Sequence, residues 1–319
     1  MGSASKQASV PVRAAVRPAV GVLAAVTLFL LLSWNSGHYW DEYFYLFSVW
    51  THTPSELVRY ELRTELFPVG FFSEKIGHVA LLYLLTRLFG AGERVLYGVQ
   101  TLYALLLVGF VGAAYGLLRE LFAERWARHS AAVLLFSPLA LYLSWKTMSE
   151  VPSLLLTTLG SWAFVRSLPG RSQGHGARWL ALAMLLLAGG MLCRVTTIVA
   201  FTGLGLALLI VGDGHSDRRR LFLRLAGTVA AAALLHSVGL ALAGGSVLRI
   251  GSHIHSVVTE HSSVQRVYAF VFFVQALGLV VPFAWLRRSD RLVQVGVVWL
   301  AASALPFLAG HEPRYFAPA

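Results

Sequence analysis

The sequence predicts an all-α, polytopic transmembrane bundle of about nine spans, with interfacial helices in its first extracytoplasmic loop. Three observations carry that reading. The first is composition: of 319 residues, 57% are hydrophobic and only 13% charged, with a mean hydropathy of +0.67. A soluble domain carries about 25% charged residues, so this chain lacks the polar surface to face water all round. The second is the recurrence of long Leu/Ala-rich runs without period-two alternation, which argues against a membrane-spanning barrel. The third is the uneven spread of a formal net charge of +11. Such an excess would also suit nucleic acid, but in a membrane protein it is first a topology signal, and no convincing nucleic-acid surface is present.

Segment 1–19 carries Lys6, Arg13 and Arg17 ahead of a long apolar run, with no small-residue cleavage site after it. It reads as a cytoplasmic N-terminal segment followed by a retained first helix rather than a signal peptide. Residues 20–319 then form the membrane domain. Helices are expected near 20–36, 94–118, 130–144, 151–167, 179–193, 197–212, 223–243, 264–286 and 292–309. Several are shorter than the roughly 20 residues of an average span. The junctions around Trp145–Glu150 and Arg194–Thr197 therefore read as short helices meeting at a polar depression.

The first loop, 37–93, contains the apolar but short stretch 76–89, with His78 and Arg87 inside it. If it spanned, every later loop would change sides and "DGHSDRRRLFLR" would face outward, against the positive-inside rule. Lying flat as an amphipathic interfacial helix, it leaves the N-terminus, 119–129, 166–178, 213–224 and 287–291 inside. Those segments hold 16 Lys/Arg against five acids, and the opposite side holds ten of each. The inner segments then read as topology anchors. The polar clusters "YWDEYF", "SWKTMSEVP", "CRVTT", "GSHIHSVVTEH" and "GHEPRYFAP" all fall outside, with seven of the 11 histidines.

Asp41 and Glu42 stand among Tyr39, Trp40, Tyr43, Phe44 and Tyr45. The plain account is a solvated helix end inside an aromatic belt. Partial desolvation, however, raises a carboxylate's pKa and suits a general base. Lys146 and Glu150 lie four residues apart, spaced for a local ion pair. Pro152 fits a first helical turn, Ser149 fits its cap, and Lys146 offers a cation for phosphate. Arg194 interrupts an apolar stretch. It either snorkels at a helix end or meets a functional partner, and a guanidinium beside hydrocarbon suits the phosphate of a lipid.

His253 and His255, with Glu260 and His261 nearby, form a candidate divalent-metal site of no recognised closed spacing. Arg249 is a further phosphate candidate. His311, Glu312 and Arg314 come after the last predicted helix, as an ion pair closing the outer face or as part of a cationic cradle. The single cysteine, Cys193, excludes an internal disulfide and a cysteine-only metal site.

Taken in order, the carboxylate pair, "SE-x-P", "R-x-T" and "H-E-P-R-Y" resemble the GT-C-type integral membrane glycosyltransferases. The branch most resembled is that of the protein O-mannosyltransferases and aminoarabinose lipid A transferases. "HEPRYFAP" is similar to the "HKExRF" segment of the dolichol-phosphate-mannose-dependent glycosylphosphatidylinositol mannosyltransferases. "LLTRLFGAGERVLYGVQTLYALLLVGFVGAAYGLLRELF" resembles the segment after the first loop in that branch.

The resemblance covers about residues 18–319. It implies a sugar donor on a polyprenyl phosphate, an extracytoplasmic site and inverting transfer to a glycan, lipid or protein acceptor. It makes Asp41 the base with Glu42 beside it, and sets Arg194 and Arg314 against the donor phosphate. Lys146 and Arg249 join them on charge and side, with Glu150, Glu312 and His311 in support. The implied location is a prokaryotic plasma membrane. Family members usually continue past the "RY-x-x-P" segment, whereas this sequence ends at Ala319, which implies either a minimal or truncated version or a partner subunit that supplies the rest. A lipid or solute transporter or flippase and a non-catalytic partner subunit are the competing classes.

Overall fold

The computed structural model describes residues 24–31, 40–60, 70–90, 93–135, 149–171, 174–211 and 215–251, with positions 21, 143, 147 and 294 besides. Every secondary-structure element among the described residues is a helix. In chain order these are α1 (24–31), α2 (Trp40–Thr51), α3 (Pro54–Arg59), α4 (Phe71–Glu74), α5 (Ile76–Phe89) and α6 (Glu93–Leu121). They continue with α7 (Glu124–Leu135), α8 (Glu150–Ser167), α9 (Gly176–Cys193), α10 (Thr197–Val211) and α11 (His215–Leu242). Three are long and apolar enough to cross a membrane: Arg94–Leu121 within α6, all of α9, and Arg218–Leu242 within α11. The helices expected at 264–286 and 292–309 lie outside the described residues.

Helix α8 is the central strut, packed most extensively on α9 and α6. In lipid, apolar side chains gain nothing by leaving the tails, so helices associate through close packing of small residues. The sequence of α8 and its neighbours meets that need. A Cβ added at Gly160 of α8 would lie 2.8 Å from Leu187 Cγ, and one at Gly190 of α9 would lie 2.7 Å from Thr157 Oγ1. On the other flank Gly116 of α6 lies under the Trp162 indole. The large apolar side chains left outward, including Leu182, Leu185, Leu206, Ile210, Leu234 and Leu242, are the surface that a lipid environment covers.

The described part of the first loop is built of short helices, of which α3 is capped by its own side chains. Thr53 and Glu56 form a capping box at the start of α3, with the Thr53 backbone N–H donating to Glu56 Oε2 at 2.8 Å. Those bonds from Thr53 hold the Glu56 carboxyl below the usual carboxylate range. Gly70 opens α4 at φ 88°, a left-handed conformation that glycine adopts without penalty. Helix α5 occupies the whole of the stretch that the sequence picks out as a short apolar helix. It packs on α2, α6 and α9, while Leu84, Leu88 and Phe89 stay exposed.

Two helices begin earlier than hydropathy predicts. Helix α11 starts at His215 rather than near 223, and α7 at Glu124 rather than near 130. In both, the added turns are rich in arginine, a good helix former that hydropathy ignores. The segments expected on one side of a membrane do meet at one end of the bundle. Glu120 of α6 pairs with Arg166 at 3.3 Å and Arg171 at 3.8 Å, and Arg224 of α11 donates to the Ser167 carbonyl at 2.7 Å. At the other end the first loop meets the segment after α11. Ser55 Oγ donates to the Ala243 carbonyl at 3.1 Å, and Arg249 Nη1 to those of Val58 and Arg59 at 3.0 and 3.3 Å.

Candidate functional site

The site lies where α8 begins and α9 gives way to α10. Helix α9 stops at Cys193, Arg194 adopts extended backbone (φ −163°, ψ 112°), and α10 restarts at Thr197. Thr197 Oγ1 donates to the Arg194 carbonyl at 2.7 Å, which ties the two helix ends together. The side chain of Arg194 turns inward and is 4% exposed. Its Nη1 lies 2.9 Å from Oε1 of Glu150, itself 3% exposed, and donates to Ser149 Oγ at 3.1 Å.

The Arg194 side chain is thus buried against Glu150, while Lys146, the expected local partner of Glu150, lies outside the described residues. Ser149 departs from its expected role. It stands at the N-cap position of α8 but makes no side-chain cap. Its hydroxyl accepts from Arg194 and donates to Glu150 Oε2 at 3.3 Å. Pro152 lies in the first turn of α8, where a missing N–H is harmless.

Beside this pair stands a second polar group that hydropathy and motif spacing pass over. Glu74 and Lys75, where α4 meets α5, are both buried and lie 3.5 Å apart. The Lys75 ammonium sits 3.8 Å over the Phe71 ring, and a cation over an aromatic face is stabilised by the ring quadrupole. One turn on, His78 is fully buried, with Nδ1 2.7 Å from the hydroxyl of Tyr103 in α6. The main chain beside His78 lies against the residues directly ahead of Arg194, which brings the two polar groups near one another. Gly77 lets α5 come this close: a Cβ there would lie 3.0 Å from the Leu192 carbonyl carbon and 3.1 Å from the Cys193 nitrogen.

The signal for this group was legible in "GFFSEKIGH", an adjacent acid and base with a histidine one turn later. Hydropathy drew attention to the helix and away from its charges.

Asp41 and Glu42 are the second and third residues of α2, one turn ahead of Tyr45. Tyr45 meets the His78 ring edge-on at 4.8 Å and stacks on Phe71 at 5.5 Å. The helix that carries the carboxylate pair is thus seated directly on the buried polar group. Arg249 binds the open carbonyls at the C-terminal end of α3, where a cation also favours the helix dipole.

Lys146, His253, His255, His311, Glu312 and Arg314 lie outside the described residues. Among the described residues no group of three or more His, Cys, Asp or Glu is arranged to hold a metal ion.

A buried guanidinium and a buried ammonium are charges of the kind that stabilise an anion in a poorly solvated place. The family described as dolichyl-phosphate-mannose-protein mannosyltransferase matches residues 76–240, which is more than half of the chain and runs from the start of α5 almost to the end of α11. No curated protein and no solved structure matches. The chain belongs to the dolichyl-phosphate-mannose-protein mannosyltransferase family, and is on that ground a GT-C-type membrane glycosyltransferase.

Proposed function

We propose that this chain moves a sugar from a polyprenyl-phosphate donor to an extracytoplasmic acceptor, with inversion at the anomeric carbon. One observation carries most of this reading: Arg194, buried at the α9–α10 break, is held in a single orientation by Glu150 and Ser149. A buried ion pair is a poor way to stabilise a fold, because desolvating two charges offsets most of their attraction. A guanidinium fixed in a poorly solvated place is, in contrast, well prepared to receive a charge that develops during reaction.

In this mechanism Asp41 accepts the proton of an acceptor hydroxyl or amine as that atom attacks the anomeric carbon. The bond from that carbon to the phosphate oxygen breaks, and its electron pair leaves with the lipid phosphate. The proton ends on the Asp41 carboxyl and passes to water. Glu42 supports Asp41. Arg194 faces the phosphate together with Lys146, Arg249 and Arg314. Glu150, Glu312 and His311 hold these cations in place, and Lys75 joins them on the geometry of its burial. A divalent ion at His253 and His255 is an optional element of the reading. The N-terminus is cytoplasmic, the site faces outward across a prokaryotic plasma membrane, and a partner subunit can contribute to acceptor binding.

The purified chain in lipid nanodiscs, supplied with a panel of polyprenyl-phosphate sugars that begins with dolichyl-phosphate mannose, tests this directly. Release of the lipid phosphate that depends on an acceptor is the expected result. Asp41→Asn is expected to abolish release while leaving donor binding near that of the wild type. Near-normal release by Asp41→Asn removes the residue as base, and substrate accumulation in sealed vesicles without turnover points to transport instead.

A further inference from the structure

The carboxylate helix α2 and the Glu150–Arg194 pair come from distant parts of the chain, and a transfer reaction between them needs their separation fixed. His78 is where the contacts converge. It is fully buried, and its Nδ1 shares a 2.7 Å hydrogen bond with the Tyr103 hydroxyl of α6. Its ring meets Tyr45 of α2 at 4.8 Å and 88°. Its neighbour Gly77 rests on the main chain of Leu192 and Cys193, directly ahead of Arg194. Two helices therefore locate themselves against His78, and the end of a third against its neighbour Gly77.

The bond to Tyr103 has a clear physical role. An imidazole ring can turn about χ2, a broad torsion, and a hydrogen bond at Nδ1 to a phenol on another helix fixes that angle. The ring then presents its position to Tyr45, and an edge-to-face aromatic contact is itself directional. Tyr45 is one turn from Asp41 in the same helix, so an error in the ring is transmitted to the first turn of α2. Such an arrangement has more to do with where α2 stands than with how tightly the bundle holds together.

We infer that His78 is a positioning residue for the transfer step, the bearing on which α2 and its Asp41–Glu42 turn are set relative to the Glu150–Arg194 pair. This inference rests on the reaction proposed above, so its test needs one arm that does not depend on turnover. Spin labels at Phe47→Cys on α2 and Leu185→Cys on α9, both exposed positions, in a Cys193→Ala background, report the separation of the two helices in nanodiscs.

Tyr103→Phe removes one oxygen and keeps the packing, and His78→Phe keeps a ring while losing the bond. Each is expected to widen or shift the inter-label distance distribution while the thermal midpoint stays within a few degrees. Each is also expected to lower kcat for dolichyl-phosphate mannose, with peptide and mannoside acceptors, on the order of 10- to 100-fold. The donor KM stays within about twofold, because the phosphate-facing cations are untouched. The double variant is expected to be no worse than the poorer single one, as befits one shared interaction.

A distance distribution unchanged in both variants overturns the inference whatever the wild-type activity. A raised KM at constant kcat overturns it too, since His78 would then serve donor binding. A wild type that transfers no sugar defeats the proposed function, and the distance arm still decides whether His78 seats α2.

Discussion

The two ends of α8 hold arginine–glutamate pairs of similar geometry in opposite surroundings. At one end Arg194 and Glu150 lie 2.9 Å apart and are 4% and 3% exposed. At the other, Arg166 and Glu120 lie 3.3 Å apart and are 35% and 26% exposed. Glu120 also takes Arg171 and, at 3.4 Å, the Trp162 indole N–H, while Arg166 lies over Trp179 at 4.7 Å. The second group consists of half-wet charges neutralised locally and resting on aromatic rings, as a surface anchor needs. The first has no such excuse, because an apolar pair of the same volume would hold the helices at least as well. The difference teaches that the charge in a membrane protein that calls for a functional account is the buried one, while the exposed majority is explained by topology.

The strongest way to break the comparison is Arg194→Ala. It strands Glu150 in the interior, and breaking a buried pair in this way destabilises by about 3–5 kcal/mol. Thermal unfolding in detergent should show it, and donor binding should weaken in whatever fraction stays folded. Glu150→Leu combined with Arg194→Met then separates stability from function. The double variant is expected to recover most of the lost stability, because neither charge is left alone, and to remain without transfer activity. Recovery of transfer would mean that Arg194 has no part in the reaction.

Gly77→Ala comes next. A methyl group there meets main-chain atoms of Leu192 and Cys193 at 3.0–3.1 Å, and backbone yields poorly. Overpacking of this kind costs about 1–3 kcal/mol. The displaced α5 should also lower transfer, since it carries His78 and begins directly after Lys75. Gly112→Ala in α6 is the control, because nothing lies within 4 Å of its added methyl. It should leave both unfolding and transfer as they are.

Glu120→Gln tests the wet end. Exposed pairs contribute about 0–1 kcal/mol each, so a small loss in midpoint that shrinks further at high salt is expected, with unchanged transfer. A loss of several kcal/mol would show the two ends to be energetically alike and would end the contrast.

Hydropathy and charge counting see only part of this molecule, and that decides how much of it was legible in the sequence. The bounds of α5 were readable because its apolar stretch is closed by charge and glycine on either side. The sorting of 119–129, 166–178 and 213–224 to one end came from their arginines. Arg194 was legible as an anomaly, a cation in an apolar run. Its partner was not, because Glu150 lies 44 residues away and pairs through the α8–α9 packing that Gly160 and Gly190 allow. Ser149 was read as a cap since serine before a helix usually is one, and only the approach of Arg194 turns its hydroxyl elsewhere. The signal in Glu74, Lys75 and His78 was present but easily passed over, as an acid and base side by side look like surface until the helices around them close.

The smallest effect is expected at Arg128→Ala. Arg128 and Glu124 form an i,i+4 pair on α7 at 2.7 Å, with both side chains in the open. The hydrogen bond and charge of Arg128 hold the Glu124 carboxyl below its ordinary pKa of 4.5. A carboxylate lowered in the folded state contributes stability above the unfolded pKa and loses it as the pH falls through the folded value. Whatever this pair contributes is therefore present at neutral pH and gone in acid. Water and salt already screen both partners, so the midpoint of Arg128→Ala at neutral pH should match that of the parent within error, and its acid limb should be only slightly flatter. Transfer should not change, because the pair sits on the arginine-rich segments at the far end of the bundle from Arg194. A measurable drop in transfer would tie the wet end of the molecule to its buried site, a coupling for which neither the packing of α7 on α6 nor the exposure of the pair gives a route.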